Sequence, residues 1–156
     1  EVPLRERNVI LVAAGLAPTV ALMLNMDMIG YTADADLDVL IETNTTHAGR
    51  LADFQAAAAT FTDLRVVTSL YASGSDHVPF LQRGMPAVLT IENDYSIYPH
   101  YHRTTDLPGA LTPVMAENIL RMNAAVVAAL ADAPLHALLA DGFEAGDLGA
   151  WSVSWP

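Results

Sequence analysis

Short apolar segments of strand length alternate along this chain with segments of helical periodicity, and this order limits the possible folds more than any other feature. Strands are predicted at 19–28, 37–43, 65–71 and 85–92, and longer helices at 47–60 and 112–130. A further buried element at 9–17 precedes a turn at Ala17-Pro18. Strands that alternate with helices form sheets covered by helices. The sequence therefore predicts an α/β fold, a three-layer sandwich with a mixed, largely parallel sheet.

The two longer helices begin at candidate caps and each carries one apolar stripe. Thr46 is the predicted cap of the first helix and Thr112 that of the second. A short helical turn between them is predicted to be capped by Ser75 or Asp76 and to stop at Gly84. The stripes are Leu51, Phe54, Ala58 and Phe61 in the first helix, and Met115, Ile119, Met122, Val126 and Leu130 in the second.

Acidic residues outnumber basic ones by 18 to 7 in this chain of 156 residues, which gives a net charge of -11. A surface of that sign repels phosphate backbones and anionic lipid heads, so we expect no nucleic-acid partner and no basic patch for membranes. The chain has no cysteine, which excludes disulfides, thiolate zinc sites and a cysteine nucleophile. Only His, Asp and Glu side chains are left as metal ligands.

The beginning of the chain superficially resembles a signal peptide, because Arg5-Glu6-Arg7 precedes the apolar run at 9–17. That run is far shorter than a membrane span, and Gly15, Pro18 and Asn25 interrupt the uncharged stretch that follows. We therefore interpret the segment as buried elements of a globular domain, with no membrane insertion.

Polar segments follow three of the predicted strands. Asp27 follows the first, Ser75-Asp76-His77 the third, and His100-Tyr101-His102 lies in the loop after the fourth. Functional residues of parallel sheets cluster beyond the carboxyl ends of the strands, so this order predicts a site. For each segment a structural role stays open: a carboxylate bonded to a turn, a helix cap, and surface histidines.

Geometry restricts what these segments can do alone. Ser75, Asp76 and His77 cannot form a hydrolytic triad with one another, because consecutive side chains point in different directions. His100 and His102 are two residues apart, which in an extended chain places both imidazoles on one face at a spacing suited to a metal.

Three motifs occur in order at 25–30 (Asn-Met-Asp-Met-Ile-Gly), at 75–80 (Ser-Asp-His-Val-Pro-Phe) with 84–87 (Gly-Met-Pro-Ala), and at 101–106 (Tyr-His-Arg-Thr-Thr-Asp). Together they resemble the carboxyl-terminal half of the di-zinc aminopeptidases of metallopeptidase family 28, which includes relatives of glutamate carboxypeptidase and glutaminyl cyclase. The resemblance covers roughly 20–130. It implies a zinc-exopeptidase-like sandwich, incomplete on its amino-terminal side, a secreted or extracellular location, and a peptide substrate.

The resemblance also implies roles for single residues. Asp27 matches the carboxylate that binds one zinc ion, and His102 matches the histidine that binds the other, with His100 as an alternative ligand. Tyr101 resembles the catalytic tyrosine that helps to stabilise the gem-diolate. In such sites two zinc ions polarise the scissile carbonyl and activate a bridging water, with a glutamate as general base.

Three further residues belong to the implied surroundings of the site. Asp76 and His77 match a segment that forms a wall, where they would support the ligands or contact the substrate. Asp106 matches the acidic position after the ligand histidine and is expected to orient that loop.

The family's amino-terminal half supplies a His-x-Asp pair and a Glu-Glu pair, and neither occurs here. Before Asp27 the only carboxylates are Glu1 and Glu6, and there is no histidine. Each zinc would keep one protein ligand where about three are normal, so we do not expect this chain alone to hold zinc tightly. We expect it to be inactive alone, either as a truncated product or with a companion chain covering the missing half.

The carboxyl-terminal segment has a different character. Residues 1–138 are interpreted as a partial zinc-peptidase-like domain, and 139–156 as a linker or the start of an appended domain. The stretch 141–152 resembles the opening strand of β-rich domains found on secreted bacterial proteins.

Three other functions stay open. One is a glutaminyl-cyclase-like enzyme, against which Tyr101 argues, since a tryptophan is expected there. Another is a non-catalytic binding module that associates with itself or with a partner through exposed strand edges. The third is an unrelated site in which His100 and His102 bind a metal with Asp106 or Asp94.

Overall fold

The computed structural model of the protein describes residues 9–14 and 20–131. Five strands form one sheet in the order β1-β2-β5-β3-β4. Within the described residues no helix is both long and apolar enough to cross a membrane. The strands are β1 (Val9–Ala14), β2 (Val20–Met26), β3 (Asp38–Glu42), β4 (Arg65–Ser69) and β5 (Ala87–Glu92), and the helices are α1 (Leu51–Phe61), α2 (Val78–Gln82) and α3 (Pro113–Leu130).

The sheet is mixed, as predicted. β2 pairs with β5 in parallel and β3 with β4 in parallel, whereas β1 is antiparallel to β2 and β3 is antiparallel to β5. The carboxyl ends of β3 and β4 therefore lie opposite those of β2 and β5. This reversal matters for the site, because polar residues at the ends of successive strands do not all meet at one edge.

Alternation along the strands divides the core into two layers. The larger layer packs one sheet face against α1 and α3 around Phe54, Ile119 and Met122, which are fully buried. A smaller cluster of Met23, Leu81 and Ala87 covers the other face and includes α2. Helices thus lie on both faces, which confirms the predicted three-layer α/β architecture. The apolar stripes predicted for α1 and α3 face this core.

Two of the three predicted helix caps differ from the structure. The first helix begins in a 3-10 turn at Thr45–Arg50, and its cap is Asn44 rather than Thr46, since Asn44 Oδ1 accepts a hydrogen bond from the His47 N–H at 3.0 Å. Thr112 is the N-cap residue of α3, as predicted, although its side chain makes no capping hydrogen bond. Neither Ser75 nor Asp76 caps α2, which begins after His77. The predicted stop at Gly84 agrees with its positive φ of 74°.

Candidate functional site

A cleft of about 490 Å³ lies over the sheet face opposite α1 and α3. Its floor consists of Leu40, Glu42, Leu89 and Ile91, from β3 and β5. The loops that follow β2, β4 and β5 supply its walls. The position of the polar segments after the strands predicted a site at one edge of the sheet. Because β3 runs opposite to β5, the site instead spreads across a sheet face.

Asp27 lies at the cleft directly after β2, with its orientation set by two neighbours. Its backbone N–H donates to the carbonyl of Thr90 in β5 at 3.3 Å. The Ser75 hydroxyl donates to Asp27 Oδ2 at 2.8 Å and accepts from Asn25 Nδ2 at 2.8 Å. A serine hydroxyl has one proton, and the Nδ2 group of the fully buried Asn25 can only donate, so the Ser75 proton goes to Asp27. Oδ2 is occupied, and Oδ1 makes no hydrogen bond within the described residues.

Glu42 forms a second acidic point on the cleft floor, beside the fully buried His77. The distance from His77 Nε2 to Glu42 Oε1 is 3.1 Å, although neither ring nitrogen has a well-aligned hydrogen-bond partner among the described residues. The Ser73 N–H also donates to Glu42 Oε1, at 2.7 Å. Burial lowers the pKa of the His77 imidazole, while the Glu42 carboxylate opposes that shift. The buried His77 ring therefore lies against the Glu42 carboxylate. Neither Asp76 nor His77 lines the cleft, and their contact with a substrate stays a prediction.

The loop after β5 is held by an aromatic contact and a carboxylate. The hydroxyl of Tyr98 donates to Asp106 Oδ1 at 2.5 Å, and its ring lies 4.9 Å from that of Tyr31. Burial and the bond to Asp106 raise the pKa of Tyr98 to about 12, so this phenol stays protonated. Asp106 thus ties the loop across eight residues.

The two histidines of this loop do not lie in an extended segment. Residues 100–102 form turns rather than the extended chain that the spacing argument assumed, and His102 has a φ of 56°. His100 Nδ1 lies 2.9 Å from the Thr105 hydroxyl. The His102 ring stacks on Tyr101, with 3.9 Å between ring centroids, and Tyr101 lines the cleft. The prediction of paired imidazoles in an extended segment is therefore wrong.

The donor set at the cleft is too small for a complete metal site. Within residues 9–14 and 20–131 no group of three or more His, Asp or Glu side chains is arranged to hold a metal ion. The oriented carboxylate of Asp27 suits one ligand position, and a closed zinc site needs about four. The described residues by themselves therefore do not fit a zinc ion.

A comparison with protein families matches residues 11–127 to Peptidase family M28. The chain belongs to peptidase family M28. Among solved structures this M28 chain is similar to the LapA aminopeptidase of Legionella pneumophila, with a TM-score of 0.62, 22% sequence identity and 72% of this chain covered. The match spans 31% of the LapA chain, and an identity this low supports the fold alone. A comparison with curated proteins found no significant match.

Two buried carboxylates of the M28 chain escaped sequence reasoning. Glu42 and Glu92 each end a buried strand and are 7% and 1% exposed. Glu92 N–H donates to the carbonyl of Met28, and its Oε2 accepts the N–H of Tyr31 at 2.6 Å. Glu92 therefore fixes the turn that follows Asp27. The signal for both residues in the sequence is a carboxylate at the end of an apolar strand, the same signal that marks Asp27.

Ser75→Ala is expected to lower the free energy of unfolding by about 1–3 kcal/mol, because it leaves the buried Asn25 amide without an acceptor. Urea denaturation followed by circular dichroism measures this change. Ser73→Ala is the matched control, since that hydroxyl is exposed and only the Ser73 backbone bonds to Glu42. Equal stability of the two variants would contradict the hydrogen bond between Asn25 and Ser75.

Proposed function

We propose that this chain forms part of the active site of a zinc-dependent aminopeptidase, an M28 exopeptidase that hydrolyses amino-terminal peptide bonds. One observation carries the proposal: Asp27 lies in the cleft with Oδ2 held by Ser75 and Oδ1 facing no hydrogen-bond donor of the described residues. A carboxylate held in this way is ready for a cation. Membership of family M28, which is generally zinc-dependent, supports zinc as that cation.

Asp27 and His102 are the proposed zinc ligands of this chain, each to be completed by residues outside the described part. Tyr101, which is 52% exposed and lines the cleft, is the proposed donor to the oxygen of the scissile carbonyl. Its ring stacks on the His102 ring, so the two proposed groups lie side by side. Glu42 and the protonated Tyr98 complete the polar surface against which a peptide would lie.

Titration of the ¹⁵N-labelled chain with Co²⁺, a paramagnetic substitute for zinc, tests the ligand assignment. Paramagnetic broadening detects weak binding, which is what two ligands on separate ions predict. We expect amide signals of 26–28 and 101–103 to broaden first. Asp27→Asn and His102→Ala should each abolish the broadening at their own segment.

His100→Ala is the control, because the His100 ring is bonded to Thr105 and is not a proposed ligand. It should leave both sets of signals as in the wild type. Broadening that depends on His100 and not on His102 would instead support the unrelated histidine site and overturn this assignment.

The purified chain is expected to release no leucine from leucyl-p-nitroanilide, with or without added zinc, because its described residues lack a complete metal site. Absorbance of the released nitroaniline measures this. Zinc-dependent release that is lost in Asp27→Asn would show that the chain is an aminopeptidase by itself and would contradict the shared site.

A further inference from the structure

Arg103 is the one basic side chain lining the cleft, among the residues that the structure describes. The four other described arginines all have acceptors. Three are in ion pairs, Arg50 with Asp53, Arg65 with Asp38 and Arg121 with Glu117, and Arg83 donates to the carbonyl of Pro79. The Arg103 guanidinium has no such partner in the described part of the chain.

An arginine left without a partner is unexpected in this chain. Acidic residues exceed basic ones by 11, so a carboxylate partner is available to most cations on the surface. A guanidinium presents a planar fork of donors that matches both oxygens of a carboxylate. The Arg103 fork is thus available to a carboxylate supplied by a ligand.

Two backbone hydrogen bonds hold the turn that carries Arg103. Its N–H donates to the carbonyl of His100 at 3.0 Å, and its own carbonyl accepts from the N–H of Asp106 at 3.1 Å. The bond from Tyr98 to Asp106 closes the same loop. A side chain that starts from a rigid turn loses less entropy when it binds a ligand.

The charges in the cleft are arranged with opposite signs on different walls. Glu42 supplies negative charge from the cleft floor, and Arg103 supplies positive charge from the loop after β5. Tyr95 and Tyr101 line the same loop side and add apolar surface beside the Arg103 side chain. A molecule with an ammonium group at one end and a carboxylate at the other is complementary to this arrangement.

We propose that Arg103 is a specificity-determining residue that binds a carboxylate of the peptide substrate. This inference rests on the proposed peptidase function and adds a substrate class, namely peptides that carry a carboxylate within reach of the reacting end. Two sources have the same chemistry, an acidic side chain on the first residue and the terminal carboxylate of a dipeptide.

Paired peptides separate the two sources in an NMR titration of the chain. Leu-Ala and its amide differ only in the terminal carboxylate, whereas Glu-Ala-amide and Gln-Ala-amide differ only in the side chain. In at least one pair we expect the carboxylate form to bind about fivefold more tightly, the upper range for an exposed ion pair. The pair that shows the preference identifies the source.

Arg103→Gln should remove the preference, and Arg103→Lys, which keeps the charge but loses the fork, should retain part of it. Arg83→Gln is the control and should keep the preference, because Arg83 bonds to its own helix. Dispersed spectra of each variant show that it is folded. Equal binding within both pairs, no binding of any peptide, or a preference that survives Arg103→Gln would overturn the proposal.

These outcomes are separable from those of the Co²⁺ titration. Loss of the carboxylate preference in Arg103→Gln, without any Co²⁺ broadening at 26–28, would keep the Arg103 site and refute the zinc ligands. Broadening at the predicted segments without a carboxylate preference would support the zinc ligands and refute the Arg103 site.

Discussion

Phe54→Ala is expected to lower the free energy of unfolding by about 3–5 kcal/mol, the range for removing a buried aromatic ring from a packed core. Phe54 is fully buried in α1 and belongs to the layer shared by the sheet, α1 and α3. Domains of this size are stable by about 5–15 kcal/mol, so this one change removes a large part of the total. Urea denaturation followed by circular dichroism measures it.

Gln55→Ala is the matched control in the same helix, because Gln55 is exposed and alanine is a good helix former. Its free energy of unfolding should stay within about 0.5 kcal/mol of the wild type. A cost below about 1 kcal/mol for Phe54→Ala would mean that α1 does not pack on the sheet as described.

The second large effect concerns pH and the buried carboxyl of Glu92. Burial is the main cause that raises the pKa of Glu92 from 4.5 to about 8, and the charges of Asp94 and Asp27 act in the same direction. The backbone bonds from Tyr31 and Gly30 oppose the shift. At neutral pH Glu92 is therefore mainly a protonated, neutral acid in the folded chain.

The sign of the pH dependence follows from proton binding. Between pH 4.5 and 8 the unfolded chain releases the Glu92 proton while the folded chain keeps it, so the stabilising contribution is complete below 4.5 and is lost as the pH rises to about 8. The loss is about 1.4 kcal/mol per pH unit. His77 acts in the opposite sense, because its lowered pKa destabilises the fold as the pH falls below 6.5. The interval from pH 6.5 to 8 therefore isolates Glu92.

Glu92→Gln is expected to remove this dependence. The wild-type free energy of unfolding should fall by about 2 kcal/mol from pH 6.5 to 8, and that of the variant should stay nearly level. Urea denaturation at several pH values measures both slopes. Glu117→Gln, which changes an exposed carboxylate paired with Arg121, should keep the wild-type slope. An unchanged slope in Glu92→Gln would assign the effect to another group.

The sequence predicted well those features that depend on local pattern. The apolar stripe that includes Phe54 and the period-two alternation of β3 are sufficient to predict α1, the core layer and the α/β class. Asp27 was also found by its place after a strand. Each of these signals lies within a few neighbouring residues.

Features that depend on partners distant in sequence were not predictable in this way. Ser75 looked like a helix cap, but it bonds to Asp27, 48 residues away. The direction of β3 decides that Glu42 lies on the cleft floor, and no local pattern gives that direction. The left-handed conformation of His102 breaks the extended segment on which a shared face of the two imidazoles depended.

The lining of the cleft also depends on the register of β5, the central strand of the sheet. Leu89 of β5 pairs with Asn25 of β2 on one side and with Glu42 of β3 on the other. A shift of β5 by one residue would turn all its side chains to the opposite face. Leu89 would leave the cleft floor and Glu92 would turn toward it. A single-residue deletion within β5 would thus change which side chains line the cleft, although every proposed functional residue would still be present in the sequence.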